Sequence, residues 1–139
     1  NKPKVVVAAP PPPARPAHEI ALEQLKKIEE EKLWQQGLFK EYHSSISDTL
    51  RAYIEARYSI PAMEYTTDET MSAFRGNLLR EDEKMKLSMI LRLADMVKFA
   101  KAHPLPQENE QSMRDAVLFI EHTKPVTEKD MPEEKGGSV

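Results

Sequence analysis

Four histidines, a run of glutamates and a mid-chain cluster of basic residues are the side chains here that could do chemistry. His18, His43, His103 and His122 include no pair three or four residues apart, the spacing that sets two imidazoles on one helix face for zinc. Glu29, Glu30 and Glu31 are consecutive, so on a helix they splay around the axis instead of converging on a substrate. There is no glycine-rich loop to cradle phosphate and no G-x-S-x-G nucleophile elbow. The absence of cysteine removes disulfides, thiolate metal sites and cysteine nucleophiles, and it fits a reducing compartment. The expectation is a non-enzyme with no catalytic residues, no cofactor and no metal.

The basic cluster comprises Arg51, Arg57, Arg75, Arg80, Lys84, Lys86 and Arg92. It raises one alternative, a helical nucleic-acid-binding regulatory domain of helix-turn-helix type. Two features weigh against it. The formal net charge is −3, which gives no general field for collecting phosphates. The helix carrying Arg51 and Arg57 runs into a proline loop at Pro61 instead of a tight turn, and its aromatics follow an apolar stripe. No nucleic-acid partner is expected.

The elements that would position such residues are all helical. The chain has 139 residues, enough for one core, and only four glycines, which disfavours a turn-rich β architecture. Residues 1–17 carry Pro3, Pro10 to Pro13 and Pro16 and read as an extended, polyproline-like linker. Residues 18–124 read as an all-α compact bundle of about five helices, and residues 125–139, rich in Glu, Lys, Pro and Gly, as a disordered tail.

Within the bundle, a first helix from His18 carries Ala21, Leu22, Leu25, Ile28 and Leu33 inward and stops at Gly37. A second, from about Leu38 to Tyr58, turns Phe39, Tyr42, Ile46, Leu50, Tyr53, Ile54 and Arg57 inward. It leaves Ser44, Ser45, Ser47, Asp48, Arg51 and Glu55 in water. A short third helix starts at an N-cap Thr66 or Thr67, buries Met71 and Phe74, and is broken by Gly76 and Asn77. A fourth, from Glu81 to about His103, shows two apolar stripes. One holds Leu87, Ile90, Leu91, Ala94 and Val97, the other Met89, Leu93, Met96 and Ala100, and a face that wide predicts a central position. A fifth, from about Glu108 to His122, turns Met113, Ala116, Val117 and Ile120 inward.

Four residues are candidates for partner binding. Trp34 lies slightly off the stripe of the first helix, with its ring predicted to rest on the start of the second. Asp95, Lys98 and Lys101 lie on the charged edge of the fourth helix, with Asp95 spaced to pair with Lys98 at i+3.

Several segments together carry a resemblance: Glu31-Lys32-Leu33-Trp34-Gln35-Gln36-Gly37, Lys40-Glu41-Tyr42, Asp48 to Arg51, Tyr53, Glu55, Arg57, Ala62-Met63-Glu64, Thr67-Asp68-Glu69 and Ala94 to Lys101. From about His18 to Lys124 the chain resembles the C-terminal cytoplasmic helical domain of Bacteroidetes membrane proteins from aerotolerance (Bat-type) operons, related to BatD. Ser59 departs from the family pattern, which has glycine just after the second helix. The resemblance implies a non-enzymatic protein-interaction domain on the cytoplasmic side of the inner membrane, held by a transmembrane helix upstream. Its implied partners are a MoxR-type AAA ATPase, von Willebrand A domain proteins or other Bat proteins. Asn1 in place of methionine suits a fragment, and Lys2, Lys4 and Arg15 suit the positive-inside rule.

Overall fold

A computed structural model describes residues 15–76 and 78–126. The linker up to residue 14, the tail from residue 127 and the helix-breaking role of Asn77 lie outside the described residues. Within them the chain is all-α, with five helices and no strand.

The first helix, α1, spans Ala17–Glu30 and begins on Pro16, whose extended backbone suits the residue before a helix. Arg15 donates to Glu23 at 2.9 Å across its first turns. Ala21, Leu25 and Ile28 are buried at helical spacing, as the sequence predicts. The helix stops earlier than expected because Lys32 turns left-handed, with φ 53°. The amide of Gln36 takes up two of the freed carbonyls, donating to Glu31 O at 2.8 Å and Lys32 O at 2.9 Å. A 3₁₀ turn, Trp34–Gln36, follows, and Gly37 at φ 81° closes it.

Helix α2, Phe39–Tyr58, is the one at the centre. It touches α1, α4, α5 and the 3₁₀ turn. Tyr42, Ile46, Leu50, Tyr53 and Ile54 are buried as the periodicity predicts, while Phe39 and Arg57 are half-buried. Ser47 and Arg51, expected in water, are buried, and so is His43. A helix with neighbours on three sides has little face left for solvent.

Helix α3, Thr67–Ala73, starts in a capping box. Glu69 N–H donates to Thr66 Oγ1 at 3.1 Å, and Thr66 N–H donates to Glu69 Oε1 at 2.9 Å. Phe74 ends it, buried edge-on against the Tyr58 ring with centroids 5.1 Å apart, and Met71 is half-buried.

Helix α4 spans Glu81–Ala100 and ends short of His103, because Lys101 is left-handed at φ 56°. Its first stripe is buried: Leu87, Ile90, Leu91, Ala94 and Val97. Its second stripe is not. Met89, Met96 and Ala100 are exposed and Leu93 is half-buried, so the central position expected for α4 is corrected. Among the described residues the main neighbours of this helix are α2, α3 and α5, and they cover one face.

Helix α5, Pro106–Thr123, begins two residues ahead of the expected start, with proline at its first position where the missing N–H costs nothing. Glu108 Oε1 accepts from Leu105 N–H at 2.7 Å. Met113, Ala116 and Ile120 are buried and Val117 half-buried; Phe119, not anticipated, is fully buried against Tyr53. Leu25, Ile46, Leu50, Ile54 and Leu91 share one core.

Candidate functional site

The exposed half of α4 is flanked by a polar cleft of about 420 Å³, walled by α2, the α2–α3 connection and α4. Ser44, Asp48, Arg51, Thr67, Asp95 and Lys98 line it. Arg51 enters from α2 because it follows Leu50 and precedes Ile54 by three residues, which turns it toward the protein. Its guanidinium is satisfied without a direct carboxylate. Nη1 donates to Ala62 O at 2.8 Å, Tyr65 O at 2.7 Å and Thr70 Oγ1 at 3.2 Å, Nε to Ser47 Oγ at 3.2 Å, and Nη2 to Thr67 Oγ1 at 3.1 Å. The Thr67 hydroxyl then donates to Asp95 Oδ2 at 2.6 Å. The charge of Arg51 thus reaches Asp95 through one hydroxyl, tying α2, α3 and α4 together.

This corrects the pairing expected at Asp95. Its carboxylate turns to Thr67, and Lys98 instead lies with Nζ 5.2 Å from the centroid of the Phe99 ring. Lys101 occupies the left-handed position that ends α4. Trp34 is elsewhere, half-buried against the core in a groove that it shares with Tyr42 of α2 and Met113 of α5. Its position beside the start of α2 is the one its sequence context predicts. The structure therefore gathers Asp95, Lys98 and Lys101 on one half of α4 and sets Trp34 apart.

Beyond the cleft runs the uncovered apolar stripe of α4. Met85, Met89 and Met96 are 65%, 60% and 54% exposed, and Phe99 is 74% exposed. With Leu93 they lie within a third of the helix circumference, opposite the buried stripe, at 100° per residue. A shallow groove of about 330 Å³ separates Met89, Leu93 and Met96 from Gln111, Ser112 and Asp115 of α5. Arg92 lies within the stripe, between Met85 and Phe99 in angle, and is anchored to Asp68 at 3.0 Å and to Ser88 at 3.0 Å.

A buried polar pair and a buried carboxylate were not foreseen. His43 Nε2 donates to Asn109 Oδ1 at 2.7 Å; burial lowers the His43 pKa below the ordinary range, partly countered by the Asn109 hydrogen bond and Glu108. Glu83, in the first turn of α4, is buried. Its Oε2 lies 2.9 Å from His122 Nδ1 and 3.4 Å from Lys86 Nζ, while Oε1 has no hydrogen-bond partner. A signal for Glu83 was present, since it precedes the buried Leu87 by four residues.

The basic cluster is largely engaged within the fold. Arg51 is inside, Arg57 donates to Thr123 O at 2.9 Å, and Arg80, Lys84, Lys86 and Arg92 each meet a carboxylate. Among the described residues no three His, Asp or Glu side chains are placed to hold a metal, and no helix is long and apolar enough to cross a membrane. What the arrangement offers chemically is an apolar, adaptable surface edged by charge. No protein-family model matches the chain, and no match is found among curated proteins or solved structures.

Proposed function

We propose that this domain is a non-catalytic protein-interaction module that takes its partner on the outer face of α4. The observation that carries the reading is the exposed stripe of Met85, Met89, Met96 and Phe99 on a helix whose opposite face already fills the core. Methionine is flexible and polarisable, so a methionine-rich surface moulds to an apolar partner with little strain. Several exposed apolar side chains on one face mark such contacts, where single ones do not, and Arg92 adds a charge within this face. Asp95, Lys98 and Lys101 would then edge the contact and set its orientation more than its strength.

The sequence resemblance supplies the setting. In this proposal the domain lies on the cytoplasmic side of the inner membrane, on a transmembrane helix upstream, and couples to a MoxR-type ATPase, a von Willebrand A protein or another Bat protein. Lys2, Lys4 and Arg15 supply the basic residues that favour that side.

The test is co-purification of the full-length membrane protein with and without Met89→Asp and Met96→Asp. Loss of a specific companion supports the reading. Unchanged capture of every companion would remove the α4 face from it. Protease accessibility in spheroplasts tests the side of the membrane, and digestion of the domain from the periplasm would overturn the cytosolic placement.

A further inference from the structure

We infer that the groove between α1 and α2 is the seat of this chain's own proline run, Pro10 to Pro13, laid back along the domain from the point where it enters α1. The inference stands apart from the reading of α4, which involves none of the groove's residues.

The groove has a volume of about 720 Å³ and runs between two helices joined by a short turn and therefore antiparallel. Ala17 and Ala56 mark one end, Gln24 and Thr49 the other, and Ile20 and Met63 are exposed apolar walls between them. Ala17 to Gln24 is about 10 Å of helix at 1.5 Å per residue. Four prolines at 3.1 Å per residue span about 12 Å, so the run fits the groove end to end.

The chain is brought to this groove by its own path. Arg15, the first described residue, lines it beside Ala17. The Arg15 guanidinium donates to Glu23 at 2.9 Å, which lies about 9 Å along the axis from Ala17, so this side chain already points back along α1. Only Ala14 separates Arg15 from Pro13, which keeps the end of the run within about 7 Å of Arg15. A segment tethered this closely acts at an effective concentration of about the millimolar range, so modest apolar contact is enough to seat it.

Hydrogen bonding favours prolines over other peptide. The middle of the groove offers no free acceptor: Ile20, Ala52 and Met63 have apolar side chains, and the Tyr53 hydroxyl is engaged with Thr123 at 2.8 Å. Ordinary backbone laid there brings N–H groups that find no partner on the groove side. A proline run brings none, and its stiffness means that little conformational freedom is lost on docking. Seated in this way, the run carries residues 1–9 toward the Gln24 and Asp48 end of the domain instead of away from α1.

The test is a spin label on Ala9→Cys in the full chain, which has no other cysteine, read as broadening of backbone amide signals. In the docked chain Ala9 lies just past the far end of the groove, so the amides of Gln24, Asp48 and Thr49 should lose more signal than those of Ala17 and Ala56. Ala52→Glu places a charge on the exposed floor of the groove and should abolish that pattern, and Pro11→Ser with Pro12→Ser should weaken it. An unchanged thermal midpoint confirms that these exposed changes leave the fold intact. Broadening that is strongest at Ala17 and Ala56, or a pattern that Ala52→Glu leaves unaltered, overturns the proposal. Mixing spin-labelled chains with isotopically labelled, spin-free ones should give no broadening. The same pattern in the mixture would place the run on a second copy and overturn its seat on its own domain.

Discussion

His43 on α2 reaches Asn109 in the first turns of α5 across 2.7 Å, and both side chains are buried. The same junction holds Tyr42, whose hydroxyl donates to Asn109 O at 2.8 Å and whose pKa burial pushes well above the ordinary range. Two neighbouring residues of α2 thus clamp one residue of α5, which fixes the start of that helix against the core.

The clamp predicts a pH dependence of stability. Burial lowers the folded pKa of His43 below its unfolded value of about 6.5. As pH falls, the unfolded chain binds this proton first. The stability His43 contributes is therefore present above about pH 6.5 and is lost as pH falls through the folded pKa. Urea midpoints measured between about pH 7 and pH 5 should drop, and His43→Gln should flatten that part of the profile. An identical profile in the variant would show that His43 is not the titrating group.

Arg51 should be among the most costly residues to remove, although it is charged. Arg51→Met leaves the carbonyls of Ala62 and Tyr65 without their donor inside the fold and should cost on the order of 3 kcal/mol. Arg51→Lys keeps the charge but not the planar fork that reaches five acceptors, so it should also destabilise, by about 1 kcal/mol or more. Urea denaturation with an unchanged slope reads both values. A loss below about 0.5 kcal/mol for Arg51→Met would place Arg51 in water.

Ser59 ends α2 at φ 59°, a left-handed conformation that costs a residue with a Cβ and not glycine. Ser59→Gly should stabilise the domain by about 0.5–1 kcal/mol, less than the full strain because glycine also has more freedom when unfolded. The thermal midpoint checks it, and a lower midpoint would mean that the Ser59 side chain makes a contact worth more than the strain.

The two stripes of α4 should respond oppositely to truncation. Leu91→Ala opens a cavity beneath a fully buried side chain and should cost about 2–5 kcal/mol. Met89→Ala, on the exposed stripe, should change stability by no more than about 0.5 kcal/mol. Paired denaturation curves decide the matter. Comparable losses would mean that Met89 is covered by part of the folded domain.

The number of helices, their order and the main stripe of each were legible in the sequence, because apolar spacing of three and four residues is a local property of the chain. So were the stops written in proline, Pro61 lying just after α2 and Pro104 just after α4, whereas Gly37 closes the 3₁₀ turn and not α1. The ends of α1 and α4 were not legible, because Lys32 and Lys101 adopt positive φ only where the surrounding contacts compensate the strain. The fate of Arg51 was hidden for a similar reason: its five acceptors lie eleven or more residues away, apart from Ser47. Asp95 and Lys98 were visible as charges on one edge, yet the hydroxyl that claims Asp95 comes from a separate helix, Thr67 being 28 residues earlier. Above all, the sequence showed that α4 has two apolar faces, and only the tertiary structure decided which is buried. A periodic pattern records which faces avoid water. How many neighbours are present to cover them depends on the whole fold, and for α4 there are enough for one.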